Sequence, residues 1–180
     1  DVGVSGRTIK DWLAVLEQSF VLELVHPYAT NRTKRLIKSP KLYFLDAGLA
    51  AHLGGWRDPR QALYGPMAGA LFETHVASEL LKYGRNRARE VELTFWRTRD
   101  GQEIDFLVEH GGHVFPIEVK IGKPSVRDLH ELEKIRSQNW TRGQVVSLSA
   151  PKEPVDLSRE WRLTSPATIS LDASRLEGRS

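Results

Sequence analysis

Glu73, Asp105, Glu118 and Lys120 are the residues of this chain whose types and spacing could do chemistry. The last three lie in Gln102-Glu103-Ile104-Asp105-Phe106-Leu107-Val108, then Gly111-Gly112, then Pro116-Ile117-Glu118-Val119-Lys120. That pattern reads as two strands joined by a tight turn. Strand side chains alternate between faces, so Glu118 and Lys120 share one face and Ile117 and Val119 the other. By the same parity Asp105 lies opposite Ile104, Phe106 and Val108. Two neighbouring strands would then present two carboxylates and an ammonium on one patch of sheet. Oxygen ligands clustered this way suit a hard divalent cation such as Mg2+, which takes one or two carboxylates and keeps its waters. A lysine beside such an ion can position a water or stabilise charge developing on a phosphate. A salt bridge of Lys120 with either carboxylate is the structural alternative.

Glu73 belongs to a different element. Val76, Ala77 and Leu80 follow it at three, four and seven positions, so a helix places Glu73 on their apolar face. A carboxylate aimed at a core is costly unless it is paired or metal-bound. Bonding to an arginine or a backbone amide would satisfy it as well as an ion.

The elements that must position these groups follow from periodicity. Ser5 caps a helix with Ile9, Trp12, Leu13 and Leu16 on one stripe, and Phe20 to Val25 reads as a strand. A strand over 41–45 and a short helix over 47–53, ended by Gly54-Gly55, follow. The spacing then predicts a long helix over 61–83, which Gly65-Pro66 can break near its start. Strands come next over 91–98, 103–109 and 113–121. Ser125 caps a helix to about residue 137, 144–149 is a strand, and 167–171 is read as another. The order αβββαβ emerges from about residue 61 onward. We therefore divide the chain into residues 1–60, a helix–strand unit like the second half of a winged helix with a basic linker, and residues 61–180. The opening Asp1-Val2-Gly3-Val4-Ser5, without an initiator Met, reads as a fragment edge, and the tail beyond Ala173 as loose.

Composition sets the outer limits. The chain has 180 residues, 40% of them hydrophobic and 27% charged, as in one folded domain of ordinary size. No apolar run approaches the roughly 20 residues that span a bilayer, and no signal peptide opens the chain. With no cysteine, disulfides and thiolate metal sites are excluded, which fits a reducing cytoplasm. The net charge is +3. Arg32, Lys34, Arg35, Lys38 and Lys41 crowd one segment, Arg85, Arg87 and Arg89 another, and Arg97 and Arg99 follow. Such clusters either bind phosphates or remain a solvated surface.

The quartet's spacing resembles the PD-(D/E)XK nuclease superfamily, in which an acidic residue on one strand is followed by acidic-x-Lys on the next. Within it, Leu71-Phe72-Glu73-Thr74-His75-Val76-Ala77-Ser78-Glu79-Leu80, Phe95-Trp96-Arg97-Thr98, Glu103-Ile104-Asp105-Phe106 and Ile117-Glu118-Val119-Lys120 resemble domain-of-unknown-function family 4143. Ser39-Pro40-Lys41-Leu42-Tyr43-Phe44-Leu45-Asp46-Ala47-Gly48-Leu49 fits the same family. The resemblance runs from about Val4 to Ser149, and it lacks a proline before Asp105. It implies a restriction-endonuclease-like α/β fold with a mixed sheet, the C-terminal part of a prokaryotic AAA-type ATPase. It further implies Glu73, Asp105 and Glu118 as ligands of Mg2+ or Mn2+, and Lys120, Asp105 and Glu118 as the catalytic set. Nucleic acid, above all DNA, would approach through Arg32, Lys34, Arg35, Lys38, Arg97 and Arg99. A non-catalytic nucleic-acid-binding or interaction module attached to the ATPase is the alternative, and self-association through exposed aromatics a third.

Other chemistries find no support. The six histidines show no i, i+4 pair of a helical zinc site, and no Gly-x-x-x-x-Gly-Lys-Ser/Thr or Gly-x-Ser-x-Gly is present. The five tryptophans are scattered, as core or interface anchors are.

Overall fold

A computed structural model of the chain describes residues 3–28, 39–86, 91–98, 100–135 and 140–172. The element order is α1 (Gly6–Gln18), β1 (Leu22–Pro27), β2 (Lys41–Phe44), α2 (Ala47–Leu53), α3 (Pro59–Tyr64), α4 (Ala68–Asn86), β3 (Glu92–Arg97), β4 (Glu103–His110), β5 (His113–Lys120), α5 (Val126–Lys134), β6 (Gly143–Ser147), β7 (Val155–Asp156) and β8 (Trp161–Thr164), followed by a 3-10 turn at Pro166–Thr168. The α4-β3-β4-β5-α5-β6 stretch has the αβββαβ order that periodicity predicts. Gly65 and Pro66 divide α3 from α4.

The strands form one mixed sheet in the order β2-β1-β3-β4-β5-β6-β8-β7. The β3-β4-β5 meander is antiparallel, while β1 joins β3, and β6 joins β5 and β8, in parallel. Strands from both sides of residue 60 thus lie in the same sheet. Between β4 and β5 the loop is only Gly111-Gly112, with φ of 60° and 79°. Both residues occupy the left-handed region that a type I′ hairpin demands, and glycine adopts it without strain.

Helices cover both faces of the sheet. Phe72, Val76, Ala77 and Leu80 of α4 pack with Phe106, Val108, Phe115 and Ile117. Leu132 of α5 packs on the other face with Ile104, Leu107, Val145 and Trp161. Burial on both faces accounts for the near-continuous apolar run in β4.

Strict alternation fails in β4. Thr94 pairs with Leu107 and Trp96 with Ile104, so Asp105 and Phe106 together oppose one residue of β3. This is a β-bulge, which sends two consecutive side chains to similar directions. Ile104 and Leu107 consequently face α5, whereas Phe106 and Val108 face α4. The expectation that Ile104, Phe106 and Val108 share a face is corrected by this extra residue.

The expected strand over 167–171 is also corrected. β8 is the strand that pairs with β6, and the chain after it makes a 3-10 turn at Pro166–Thr168, where the Ser165 amide donates to Thr168 Oγ1 at 3.1 Å. Ser170 is held by a side chain instead: its amide donates to Gln144 Oε1 at 2.9 Å, and Gln144 Nε2 donates to its carbonyl at 2.7 Å.

Close packing at the β6–β8 contact makes one residue intolerant of growth. A Cβ on Gly143 would lie 2.5 Å from the buried ring of Trp161. Gly143→Ala is expected to destabilise the fold by about 1–3 kcal/mol, the usual cost of overpacking. Urea denaturation reads this directly, and an unchanged midpoint would contradict the packing.

Candidate functional site

The functional side chains gather where β4 and β5 separate. Their backbone ladder runs from the turn to Phe106↔Ile117, and beyond it side chains replace backbone partners. The Val119 amide donates to Asp105 Oδ2 at 2.8 Å, and the Asp105 amide faces Glu118 Oε2 at 3.4 Å. Ile117, Val119 and Ile121 pack into the α4-side core. Glu118 and Lys120 therefore point to the α5 side.

From there a line of alternating charge crosses the end of the sheet. Lys120 Nζ lies 3.1 Å from Glu118 Oε1 and 3.5 Å from Asp128 Oδ1. Asp128 is the third residue of α5, and its capping box with Ser125 fixes it: Ser125 donates to Asp128 Oδ2 through its amide at 2.8 Å and its hydroxyl at 2.6 Å. On the α4 side, Lys41 Nζ lies 3.0 Å from Glu73 Oε1, in contact with Glu103 Oε1, and 3.9 Å from Asp105 Oδ1. Tyr43 donates its hydroxyl to the same Glu73 oxygen. Ser78 Oγ donates to the Leu45 carbonyl at 2.7 Å and so ties α4 to the end of β2. After Lys120, Ser147 Oγ donates to the Gly122 carbonyl at 2.9 Å and anchors the departing chain to β6. A groove of about 340 Å3 opens on the α5 side, lined by Glu103, Glu118, Lys120, Arg127 and Asp128 among others.

Burial governs the electrostatics. It pushes the Asp105 carboxyl up to about 8, with the nearby charges of Glu118 and Glu73 adding to the rise, and the Val119 amide and Lys41 opposing it. Burial also raises Glu118, against the pull of Lys120. For both lysines burial works against the charge. The carboxylates outweigh it, chiefly Glu103 and Glu73 for Lys41 and Glu118 for Lys120, and both pKa values rise. The Tyr43 phenol is pushed up by burial and then by Glu73, so it stays a donor. Ser125 holds Asp128 below the usual carboxylate range, and Asp128 remains anionic.

Asp105, Glu118 and Lys120 are thus brought together, and Glu73 joins them through Lys41. Among the described residues no group of three or more histidines, aspartates and glutamates is arranged to hold a metal. The donor chemistry nevertheless fits a hard cation: oxygen atoms only, and two acids close enough that Glu118 adds to the rise burial imposes on Asp105. Lys41 and Tyr43 were not singled out as members of the site from the sequence. Their i, i+2 spacing on one strand was the available signal, since it puts both on one face. Glu103 bridges Lys41 and Arg97, the latter through Arg97 Nε at 3.4 Å. Of the residues expected to meet nucleic acid, Arg97 is exposed, and Arg32, Lys34, Arg35, Lys38 and Arg99 lie outside the described residues.

A mixed α/β domain with an acid–lysine cleft at the splayed end of its sheet is the class this geometry defines. The chain belongs to the family described as Domain of unknown function (DUF4143), whose profile matches residues 68–165. Residues 1–60 are similar to a second family, also a Domain of unknown function (DUF8612). Uncharacterized proteins of Mycobacterium bovis and Mycobacterium tuberculosis are each 31% identical over 117 residues, which is 65% of this chain and 26% of the relative. The chain thus spans about a quarter of the length of the curated relatives it matches. No solved structure matches it. Among the described residues no helix is long and apolar enough to cross a membrane.

Proposed function

We propose that this chain is a metal-dependent, nuclease-like domain of the restriction-endonuclease-like kind. It would hydrolyse phosphodiesters of nucleic acid, DNA foremost, in the cytoplasm as the C-terminal part of a larger ATPase. The observation that carries the reading is the pairing of Asp105 with Glu118 at the opened end of β4 and β5, with Lys120 beside them. Asp105 and Glu118 would hold Mg2+ or Mn2+, with Glu73 adding negative charge behind them. The bound ion would lower the pKa of a water and offset charge on the scissile phosphate. Lys120 keeps its proton and offers a donor to the nucleophile or to a phosphate oxygen. Arg127, in the groove, and Arg97, at the rim beside Glu103, supply positive charge for a phosphate backbone.

The test is Mn2+ calorimetry together with nicking of supercoiled plasmid. The parent protein is expected to bind the ion and to nick only in its presence, and Asp105→Ala to lose both while its far-UV circular dichroism is unchanged. Equal nicking by parent and Asp105→Ala would sink the assignment.

A second reading is a non-catalytic nucleic-acid-binding or interaction module of the same ATPase. The engagement of Glu73 by Lys41 and Tyr43 favours it, because a carboxylate that the resemblance implies as a metal ligand is thereby spent on protein partners. Absence of Mn2+ binding at millimolar ion would select this reading.

A further inference from the structure

We infer that the Lys41 ammonium is a built-in cation of the acidic cleft, competing with a divalent ion for the carboxylates around Asp105. The inference rests on the metal-dependent reading above and assigns Lys41 a role as the regulator of that site.

The geometry is that of a charge holding a cation position. Lys41 Nζ touches Glu73 and Glu103 and stands 3.9 Å from Asp105, so one ammonium faces three carboxylates contributed by α4 and β4. The three are far apart in sequence from Lys41, and no single hairpin brings them there. The lysine stem reaches the cluster from β2, an outer strand paired on one side with β1 among the described residues. Its Nζ lies 5.3 Å from the ring centroid of Phe95, a cation–π contact that supports the charge without fixing it to one acid.

An ammonium and a divalent ion cannot both be satisfied here. A hard cation of the Mg2+ class needs carboxylate oxygens at about 2.0–2.1 Å and repels a second positive charge at this range. Lys41 hydrogen-bonds to Glu73 and reaches Asp105 from an outer strand, so it can withdraw toward solvent as an ion enters. Tyr43 would keep its hydrogen bond to Glu73 throughout, and the cleft would not collapse. In the ion-free protein Lys41 offsets the charge of Glu73 and Glu103 beside Asp105. Once an ion is present, the same charge opposes its binding.

Two variants separate charge from shape. Lys41→Met keeps the stem and its packing on Phe95 but removes the charge, and Lys41→Arg keeps the charge. Calorimetric titration of the chain with Mn2+ at neutral pH, after circular dichroism has shown each variant folded, is expected to give roughly tenfold tighter binding for Lys41→Met, on the scale of one desolvated like-charge contact. Lys41→Arg should bind within about twofold of the parent on the same argument. Lys41→Gln, also neutral, answers the question if Lys41→Met does not fold. Unchanged or weaker Mn2+ binding by a folded neutral variant, with the parent binding the ion, overturns the role of Lys41 and leaves the metal reading standing. Failure of parent and neutral variants alike to bind Mn2+ overturns both.

Discussion

Asp105→Asn is expected to melt at a higher temperature than the parent chain at pH 8.5 in a chelator, and to lose that advantage as the solution is made acidic. Asp105 has 17% of its side chain exposed. Burial, then Glu118 and Glu73, pushes its carboxyl from an ordinary 3.8 to about 8. Between those values the folded protein keeps a proton that the unfolded chain releases. The unfolded state binds fewer protons, so stability falls as pH rises through the window. The penalty is absent below about pH 4 and complete above about pH 8. Asparagine behaves as the permanently neutral form, and its carbonyl can still accept the Val119 amide. The gain is on the order of a few kcal/mol, with the pull of Lys41 on the Asp105 charge already contained in the shift. Thermal melts at pH 4, 7 and 8.5 would show the trend, and equal Tm values at pH 8.5 would refute it. Adding Mn2+ should raise the Tm of the parent by mass action and leave Asp105→Asn unmoved. A residue that weakens the empty fold and strengthens the loaded one behaves as a ligand; a structural acid would show only the first effect.

The bulge that aims Asp105 also marks where sequence reading ran out. Helix 47–53, the caps at Ser5 and Ser125 and the αβββαβ order were all legible, since each depends on local spacing or on a capping side chain. The Glu118–Lys120 pair was legible because β5 keeps its alternation to the end. In β4 one extra residue shifts Ile104 from the face of Phe106 to the other, and a single sequence carries no signal for that. Lys41 was hidden for another reason. It closes a run of five basic residues, and a charge run reads as a solvated or phosphate-binding segment. Its true neighbours, Glu73 and Asp105, are brought to it only by strand order and helix packing. The tail failed on composition: Ala167 to Leu171 is apolar enough to read as a strand, yet the buried amide of Gln144 supplies its hydrogen bonds.

The acidic partner of Lys120 leads to the remaining large effect. Lys120→Ala is expected to slow metal-dependent nicking by about 100- to 1,000-fold, the usual loss when one preorganised donor to a developing charge is removed. That is a change of about 3–4 kcal/mol in the barrier. The preorganisation is visible. One oxygen of Asp128 is committed to Ser125, which leaves the other to face Lys120, while Glu118 holds the ammonium from the strand side. Asp128 cannot turn away without uncapping α5. Asp128→Asn keeps an acceptor for the cap and removes the charge, so it should slow nicking by only about tenfold, acting through the lysine. Ser125→Ala breaks the cap itself and should cost about 1 kcal/mol of stability. Mn2+ affinity separates these effects from metal loss. Lys120→Ala should bind the ion at least as tightly as the parent, since a positive charge has left the neighbourhood of Glu118. Parent-like nicking by Lys120→Ala at saturating Mn2+ would remove this lysine from the chemistry and leave the ammonium as the structural partner of two acids.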